Sequence, residues 1–317
     1  MNKKNKDSFK QGILEGLTSQ PRYFNSKYFY DKSGDILFQQ IMNLPEYYLT
    51  NCESEILKKQ SKEIVSNIDA PDGKVNIIEL GAGDGAKTQY LLDAFIKSDL
   101  KPVFIPIDIS NNAIDFITKR MESKFPDLEM NPQVGEYFEG LNRLTEIEGT
   151  KLILFLGGNI GNFSAEVNNK FLKKINSFIE KGDYLFTGFD LVKNPWLIYN
   201  AYNDSKGITR EFNLNLLKRL NRELQANFIV ENFDHYPVYD PIEKTAKSFL
   251  VSLTDQNVYI KEYDETFYFY TGETIFTEVS RKFNLQDISV MAKKSKFREV
   301  KNFFDSKSYF CDALWKK

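Results

Sequence analysis

A short apolar segment that runs directly into alternating glycines constrains the fold of this chain more than any other feature. Residues 74–80 read KVNIIEL, the next five residues read GAGDG, and residues 88–96 then carry apolar side chains at helical spacing. A strand, a glycine-rich turn and a helix in this order form the first unit of a nucleotide-binding α/β sheet. Further strands are predicted at 103–109, 151–156 and 183–191, and helices at 112–121 and 167–179. This alternation predicts an α/β fold with a mostly parallel, doubly wound sheet.

The alternation of strand and helix breaks between residues 195 and 283. A helix is predicted there, because Phe212, Leu216 and Leu220 recur on one face. The strands predicted after it lie at 246–253, 257–262 and 266–270. A helix followed by antiparallel strands indicates an insertion between late strands of the sheet, after which the C-terminal residues return to it.

Composition excludes several classes of function. The formal net charge is only −2 over 317 residues, so we expect no nucleic-acid partner. His235 is the single histidine, and Cys52 and Cys311 lie far apart, so we expect neither a catalytic histidine pair nor a bound metal. No run of about 18 apolar residues predicts a membrane helix. Residues 1–20 are polar and lysine-rich, which predicts a mobile extreme N-terminus. The first ten residues, MNKKNKDSFK, lack the apolar stretch and the small-residue cleavage site of an export signal, so we expect a cytoplasmic protein.

The glycine turn and the end of the second strand suggest a bound adenosine. Gly81 and Gly83 would let the backbone approach a ligand closely, and Asp108 could accept hydrogen bonds from both ribose hydroxyls. Taken singly, these residues could also form an ordinary turn and a strand-end carboxylate. NAD fits the same outline, but Glu79 before the first glycine and the long spacing to Asp108 favour S-adenosylmethionine.

Other polar residues follow predicted strands without a clear role of their own. Asn162 ends the stretch GGNIGN, and Glu278 and Ser280 alternate so that their side chains share one strand face. Considered alone, Asn162 is more typical of a turn, and Glu278 and Ser280 of an exposed strand face.

These motifs together resemble the S-adenosylmethionine-dependent L-histidine Nα-methyltransferase family of ergothioneine biosynthesis. The resemblance extends from about Pro21 to the C-terminus. It is carried by the stretches YFYDKSGDILFQQIMNLPEYYLTNCE, IIELGAGDGAKTQYLL, FIPIDIS, LFLGGNIGNF, TGFDLVKNP and TEVSRKF. It implies a Rossmann-like class I methyltransferase domain at 52–190 and 284–317. It also implies an α+β substrate-binding domain formed by the N-terminus (1–51) and the late insertion (191–283).

The resemblance implies a role for each matching residue in binding the cofactor. Gly81, Lys87 and Asp108 would bind S-adenosylmethionine, with Glu79 and Gly83 belonging to the same motif. Glu136 and Tyr137 fall where the family contacts the adenine, although an aspartate is usual at the position of Glu136.

The resemblance also implies how the amino-acid substrate is held. Tyr47, Asn162 and Tyr202 would bind its α-amino and carboxylate groups, Glu278 and Ser280 would recognise the imidazole, and Tyr30 would lie beside the reacting amine. Tyr30 and Asn162 are therefore the candidate catalytic residues.

One position departs from the family. The family places a methionine against the imidazole where this chain has Ser248, and the neighbouring Phe249 is the alternative residue for that role.

From the resemblance as a whole, we expect a monomeric enzyme that methylates the α-amine of histidine up to the trimethyl form. The alternatives are a methyltransferase for another amino acid, such as tryptophan or a modified histidine, and a catalytically silent cofactor-binding protein.

Overall fold

Each of the two compact units in the computed structural model combines two stretches of chain. The structure describes residues 3–144 and 147–317. Unit 1 comprises Met1–Tyr48 and Lys193–Arg281, and unit 2 comprises Leu49–Val192 and Lys282–Lys317. The roles that we expect of these units, in binding substrate and cofactor, stay predictions.

Helices and strands follow one another in chain order as the sequence pattern indicates, first alternating and then grouped. The α-helices are α1 (Lys3–Thr18), α2 (Lys32–Met42), α3 (Tyr48–Ser66), α4 (Thr88–Ile96), α5 (Asn111–Lys124), α6 (Tyr137–Asn142), α7 (Ala165–Phe178), α8 (Pro195–Tyr202), α9 (Ile208–Leu224) and α10 (Leu285–Lys294). The strands are β1 (Lys74–Leu80), β2 (Lys101–Asp108), β3 (Glu129–Met130), β4 (Gln133–Val134), β5 (Thr150–Phe155), β6 (Tyr184–Asp190), β7 (Phe233–Asp240), β8 (Thr245–Ser252), β9 (Gln256–Ile260), β10 (Glu265–Phe269), β11 (Thr274–Arg281), β12 (Arg298–Phe304) and β13 (Phe310–Lys316). Short 3₁₀ helices lie at Ser26–Phe29, Asn159–Asn162 and Val230–Asn232.

Unit 2 is built around one eight-stranded sheet. Its strand order is β12-β13-β6-β5-β1-β2-β3, with β4 also paired to β2. The pairs β1–β2, β1–β5 and β5–β6 are parallel, whereas β13 runs antiparallel to β6. The predicted Rossmann-like α/β fold with a mostly parallel sheet is therefore confirmed.

The core of unit 2 explains why its strands read as continuous apolar runs. In β1, β5 and β6 nearly every residue is buried, as expected of parallel strands covered on both faces. The packed residues include Ile78, Leu80, Ile105, Ile153, Phe155, Phe171, Phe189 and Trp315. Because the central strands are parallel, the loops after β1, β2 and β5 emerge at the same edge of the sheet, where ligands of such sheets bind.

Unit 1 packs helices against a three-stranded antiparallel sheet of order β11-β8-β7, with a separate hairpin of β9 and β10. The predicted helix is α9, and its apolar face is buried at Phe212, Leu216 and Leu220 as expected. The strands predicted at 246–253, 257–262 and 266–270 correspond to β8, β9 and β10. Strand β7 was not predicted from the sequence.

The prediction of a mobile extreme N-terminus lies in part outside the described residues, which begin at Lys3, but the segment that follows is helical. Residues Lys3–Thr18 form α1, and Phe9, Ile13 and Leu17 are buried in the core of unit 1. These three residues recur every fourth position and form one apolar stripe on an otherwise polar helix. Polar residues outnumber the apolar ones in this segment, so its composition alone resembles that of a solvent-exposed tail.

No helix among residues 3–144 and 147–317 is both long enough and apolar enough to span a bilayer.

Candidate functional site

The glycine turn after β1 lies against Asp108 and Tyr137. Gly81 has φ +73° and donates its amide hydrogen to the Ile107 carbonyl oxygen at 2.8 Å. A Cβ on Gly81 would lie 2.9 Å from the Tyr137 hydroxyl oxygen. Both the left-handed backbone and the lack of space therefore require glycine at this position. The Gly83 amide points to Asp108 Oδ2 at 3.4 Å, so this predicted pair is brought together.

Asp108 has capacity for a ligand because it does not cap the following helix. Ser110 is the N-cap of α5 and accepts from the Ala113 amide. Asp108 Oδ1 accepts from the Ser110 amide at 2.9 Å, and Oδ2 lies at the longer distance of 3.4 Å from the Gly83 amide nitrogen. Burial raises the pKa of Asp108. A carboxylate with free acceptor positions at this edge is suited to hydroxyl donors.

Tyr137 and Glu136 lie at the start of α6. The ring of Tyr137 contacts Phe155 and Phe171 edge-on, with centroids 6.0 and 6.4 Å apart. Burial, and then the charges of Asp108 and Glu136, raise the pKa of the Tyr137 phenol, which stays a hydrogen-bond donor at neutral pH. Glu136 is exposed at the N-cap position and makes no capping hydrogen bond with its side chain.

Glu79 carries a buried oxygen that suits a cationic ligand. The residue is 4% exposed, and its Oε1 accepts from the Thr88 hydroxyl at 2.6 Å. Its Oε2 is buried without a hydrogen-bond partner among the described residues. Burial raises the pKa of Glu79 to about 8, so its carboxyl group is mostly protonated at neutral pH. Buried polar atoms are rarely left unpaired, so Oε2 is the place for a donor that a cofactor would supply.

Lys87 forms an ion pair with Glu53, a residue that was not predicted from the sequence. Glu53 Oε2 accepts from Lys87 Nζ, and Glu53 Oε1 accepts from the Gly157 amide at 2.7 Å. Burial alone would lower the pKa of Lys87, but the charge of Glu53 reverses this and raises it. A signal was present in the sequence, since Glu53 falls on the face of α3 that buries Leu49 and Ile56.

Asn162 ends the 3₁₀ helix that follows β5, so it lies at the same sheet edge as the glycine turn. Its side chain is half-buried. The other predicted substrate residues belong to unit 1.

Two of the tyrosines in unit 1 flank one phenylalanine. The ring centroids of Tyr30 and Phe38 are 5.6 Å apart, and those of Phe38 and Tyr47 are 6.3 Å apart. Tyr30 is 43% exposed. Tyr202 is buried at the end of α8.

Strand pairing in unit 1 places Ser248 beside Glu278. Ser248 is the direct cross-strand partner of Glu278, and Ala246 is the partner of Ser280. Directly paired residues share a face of the sheet, so Glu278, Ser280 and Ser248 lie on one face. Phe249 pairs with Phe276 on the opposite face, with ring centroids 5.7 Å apart. Ser248, and not Phe249, is therefore the cross-strand neighbour of Glu278.

His235 lies on the same face and supports Ser248. Its Nε2 is 3.1 Å from the Ser248 hydroxyl oxygen. Burial lowers the pKa of His235 to about 4, so the ring is neutral at pH 7. Among the described residues, no cluster of three or more histidine, cysteine, aspartate or glutamate side chains could hold a metal ion.

Comparison with known proteins was consistent with these observations. The model of the family described as histidine-specific, SAM-dependent methyltransferases matches residues 9–317. A histidine N-alpha-methyltransferase from Mycolicibacterium smegmatis is 34% identical over 282 residues, covering 89% of this chain and 86% of that protein. The Mycobacterium tuberculosis protein of the same name is 35% identical over 283 residues, with the same coverage. Ergothioneine biosynthesis protein 1 from Neurospora crassa is 34% identical over 214 residues, 67% of this chain and 24% of that protein.

Solved structures are more distant. An O-methyltransferase family protein from Burkholderia thailandensis has a TM-score of 0.48 at 8% identity, covering 99% of this chain and 69% of that chain. Human N-acetylserotonin methyltransferase, solved with SAM, has a TM-score of 0.43 at 10% identity, covering 90% of this chain and 56% of that chain. Family membership therefore depends on the sequence matches.

Proposed function

This chain belongs to the family of histidine-specific, S-adenosylmethionine-dependent methyltransferases, and from that premise we propose how its residues divide the work. The reaction is transfer of methyl groups from S-adenosylmethionine to the α-amino nitrogen of L-histidine, up to N,N,N-trimethylhistidine (hercynine). The observation that carries the cofactor assignment is the approach of Gly81 to Tyr137, beside an Asp108 carboxylate with free acceptor positions.

The residues of unit 2 suit the separate parts of the cofactor. The Asp108 carboxylate would accept from the ribose hydroxyls, and Tyr137 and Glu136 would contact the adenine. Lys87 would attract the carboxylate of the methionine part, and the unpaired Glu79 Oε2 would accept from its ammonium group. Gly81 and Gly83 would leave room for the backbone to approach the ligand. When bound, S-adenosylmethionine supplies a methyl group already activated on a sulfonium, so the protein needs no covalent nucleophile.

The residues proposed for the amino acid have two tasks, orientation and proton removal. Tyr47, Asn162 and Tyr202 would hold the α-amino and carboxylate groups, which fixes the direction of the amine. An α-amine must lose a proton before each attack on a methyl group, and it has a pKa of about 8 in peptides. Tyr30, a partly exposed side chain, would help to pass that proton to solvent. Tyrosine ring faces also stabilise the quaternary ammonium product, by roughly 0.5–2 kcal/mol each.

Glu278 and Ser280 account for the choice of side chain. Their shared strand face presents a carboxylate and a hydroxyl, which match the two ring nitrogens of an imidazole. A substrate without such nitrogens would leave these groups unpaired, at a cost of about 1–3 kcal/mol each. Apolar amino acids are therefore expected to be poor substrates.

The test is an acceptor panel. The purified protein is incubated with S-adenosylmethionine and histidine, tryptophan, 2-thiohistidine or leucine, and the products are read by mass spectrometry. Stepwise gain of up to three methyl masses on histidine supports the proposal. Methylation of another acceptor, with histidine unreacted, would overturn the substrate assignment and leave the cofactor assignment standing. No turnover on any acceptor, with S-adenosylhomocysteine still bound, would favour a binding protein.

We also propose that the protein is cytoplasmic and acts as a monomer. The buried core that each unit forms from its own residues is in keeping with the monomeric state. Light scattering at micromolar concentration tests the monomeric state directly, and a mass of twice 36.9 kDa would contradict it.

A further inference from the structure

Three ionisable side chains from separate elements meet inside unit 2. Glu53 on α3 is 0% exposed, and Asp312 on β13 is also 0% exposed. Lys87, immediately before α4, forms the ion pair with Glu53. Such a group is costly to bury unless its hydrogen bonds are complete, so its arrangement requires a specific explanation.

Each oxygen of the Glu53 carboxylate accepts a hydrogen bond and so holds another group in position. One accepts from the Lys87 ammonium and the other from the Gly157 amide at 2.7 Å. Lys87 and Gly157 lie in the loops after β1 and β5, at the sheet edge that carries the glycine turn. Glu53 therefore connects two loops of the proposed cofactor site without belonging to either of them.

The sheet leaves space for this carboxylate. A Cβ on Gly188 would lie 2.6 Å from Glu53 Oε1. Gly188 is the cross-strand partner of Asp312 in the β6–β13 pair. Any other residue at position 188 would displace the Glu53 carboxylate from its two partners.

Asp312 completes the group as an uncharged acid. As two ionised carboxylates, Asp312 and Glu53 could form no hydrogen bond with each other, and neither Asp312 oxygen has another hydrogen-bond partner among the described residues. Burial and then the charge of Glu53 raise the pKa of Asp312 well above its usual value, against the lowering effect of Lys87, while Asp305 adds to the rise. A protonated Asp312 can donate to Glu53, which leaves one negative and one positive charge in balance.

We propose that Glu53 is a positioning residue for the cofactor, which holds the Lys87 ammonium and the Gly157 amide in place and is itself oriented by the acid proton of Asp312. The inference rests on the proposed role of Lys87 in cofactor binding. On this proposal Glu53 makes no contact of its own with cofactor or substrate and acts through Lys87. Its loss is therefore expected to affect cofactor affinity much more than the chemical step.

The central experiment compares E53Q with E55Q on the same helix. Glu55 forms an ion pair with Lys59 at 2.7 Å, away from Lys87, so E55Q is a matched control. In E53Q we expect the Kd for S-adenosylhomocysteine, measured by calorimetry, to rise roughly 10- to 100-fold, the equivalent of one hydrogen bond to a charged group. The kcat at saturating cofactor is expected to stay within about threefold of the wild type, and E55Q to bind like the wild type. Equal Kd values for E53Q and E55Q, or a loss confined to kcat, would overturn the proposal.

A double-mutant cycle separates positioning from general destabilisation. If Glu53 acts through Lys87, adding E53Q to K87M changes the Kd little further, whereas independent effects would add. Additive losses would overturn the proposal. Unchanged binding in K87M would instead refute the proposed role of Lys87, and neither result depends on the identity of the acceptor.

The role of Asp312 is tested by two variants of similar size. D312N keeps a donor for Glu53, whereas D312L removes it. We expect D312L to lose more cofactor affinity than D312N, with thermal unfolding recorded for both. Equal losses in the two variants, or a greater loss in D312N, would show that a donor at position 312 is not what Glu53 requires and would overturn this part of the proposal.

Discussion

The Nε2 atom of His235 lies 3.1 Å from the hydroxyl oxygen of Ser248, in the cross-strand contact that joins β7 to β8. Ser248 is in turn the direct partner of Glu278 in β11. The only histidine of the chain therefore supports the strand face that we propose recognises a substrate imidazole.

His235 is expected to remain neutral down to about pH 4. Burial lowers its pKa from 6.5 to about 4. The unfolded chain then binds more protons than the folded one between these values, so stability is fully present above pH 6.5 and is lost as the pH falls toward 4. Because there is one histidine, its imidazole signals in an NMR titration are unambiguous. A midpoint near 6.5 would contradict the prediction, and H235Q should flatten the acid limb of the unfolding curve.

Replacing Ser248 tests whether this face binds the acceptor. S248A removes the partner of His235, at a cost of about 1–3 kcal/mol in the free energy of unfolding. We expect the KM for histidine to rise several-fold while the Kd for S-adenosylhomocysteine stays unchanged. S248T keeps the hydroxyl and should restore much of the KM. Phe249 faces the other side of the sheet, so F249L should leave the histidine KM unchanged. An equal KM effect in F249L and S248A would argue against the assignment.

Glu278 is expected to control acceptor choice. Removing its carboxylate in E278A leaves an imidazole nitrogen without its partner, which corresponds to roughly a 10- to 100-fold rise in the KM for histidine. Cofactor affinity should not change, since Glu278 lies in unit 1 and the proposed cofactor residues lie in unit 2. Equal losses of both ligands would mean that Glu278 has a structural role.

The raised pKa of Glu79 predicts that increasing pH lowers the stability of the protein and strengthens cofactor binding. The pKa of Glu79 in the folded protein is about 8, above the usual 4.5. Between pH 4.5 and pH 8 the folded protein therefore keeps a proton on Glu79 that the unfolded chain has already released. The free energy of unfolding should therefore fall as the pH rises from 4.5 to 8. An ammonium group that binds to Glu79 favours its ionised form, so the affinity for S-adenosylhomocysteine should rise as the pH increases from 6 toward 8, below the pH at which the ligand's own ammonium group loses its proton. E79Q should abolish both trends, and a pH-independent affinity in the wild type would refute the contact.

Alanine variants of Gly81 and Gly73 distinguish the effect of a strained backbone from the effect of a clash between side chains. Both have positive φ, at +73° and +69°, but a Cβ on Gly73 would meet nothing within 4 Å. G73A and G81A should each lose about 1 kcal/mol of stability from the strained backbone. Only G81A should also weaken cofactor binding, by tenfold or more, because its methyl group would displace Tyr137. Equal binding losses in the two variants would contradict the close approach.

The sequence by itself determined the features that depend on local pattern. The apolar run of β1, the glycines after it and the apolar face of α9 are all encoded within short stretches of chain, and each was predicted correctly. The α/β fold followed from their order. Helix α1 was not predicted because the local sequence is mostly polar, and only the core of unit 1 shows why its three large apolar side chains, Phe9, Ile13 and Leu17, are buried.

Only the tertiary structure decided which distant residues are partners. A strand pattern shows that Ser248 and Phe249 face opposite sides, but the pairing register decides which of them shares a face with Glu278. In the same way, nothing near Glu53 in the sequence indicates Lys87, Gly157 or Asp312. Folding brings these residues together from separate helices, strands and loops, and a buried charge is tolerated only where such partners meet.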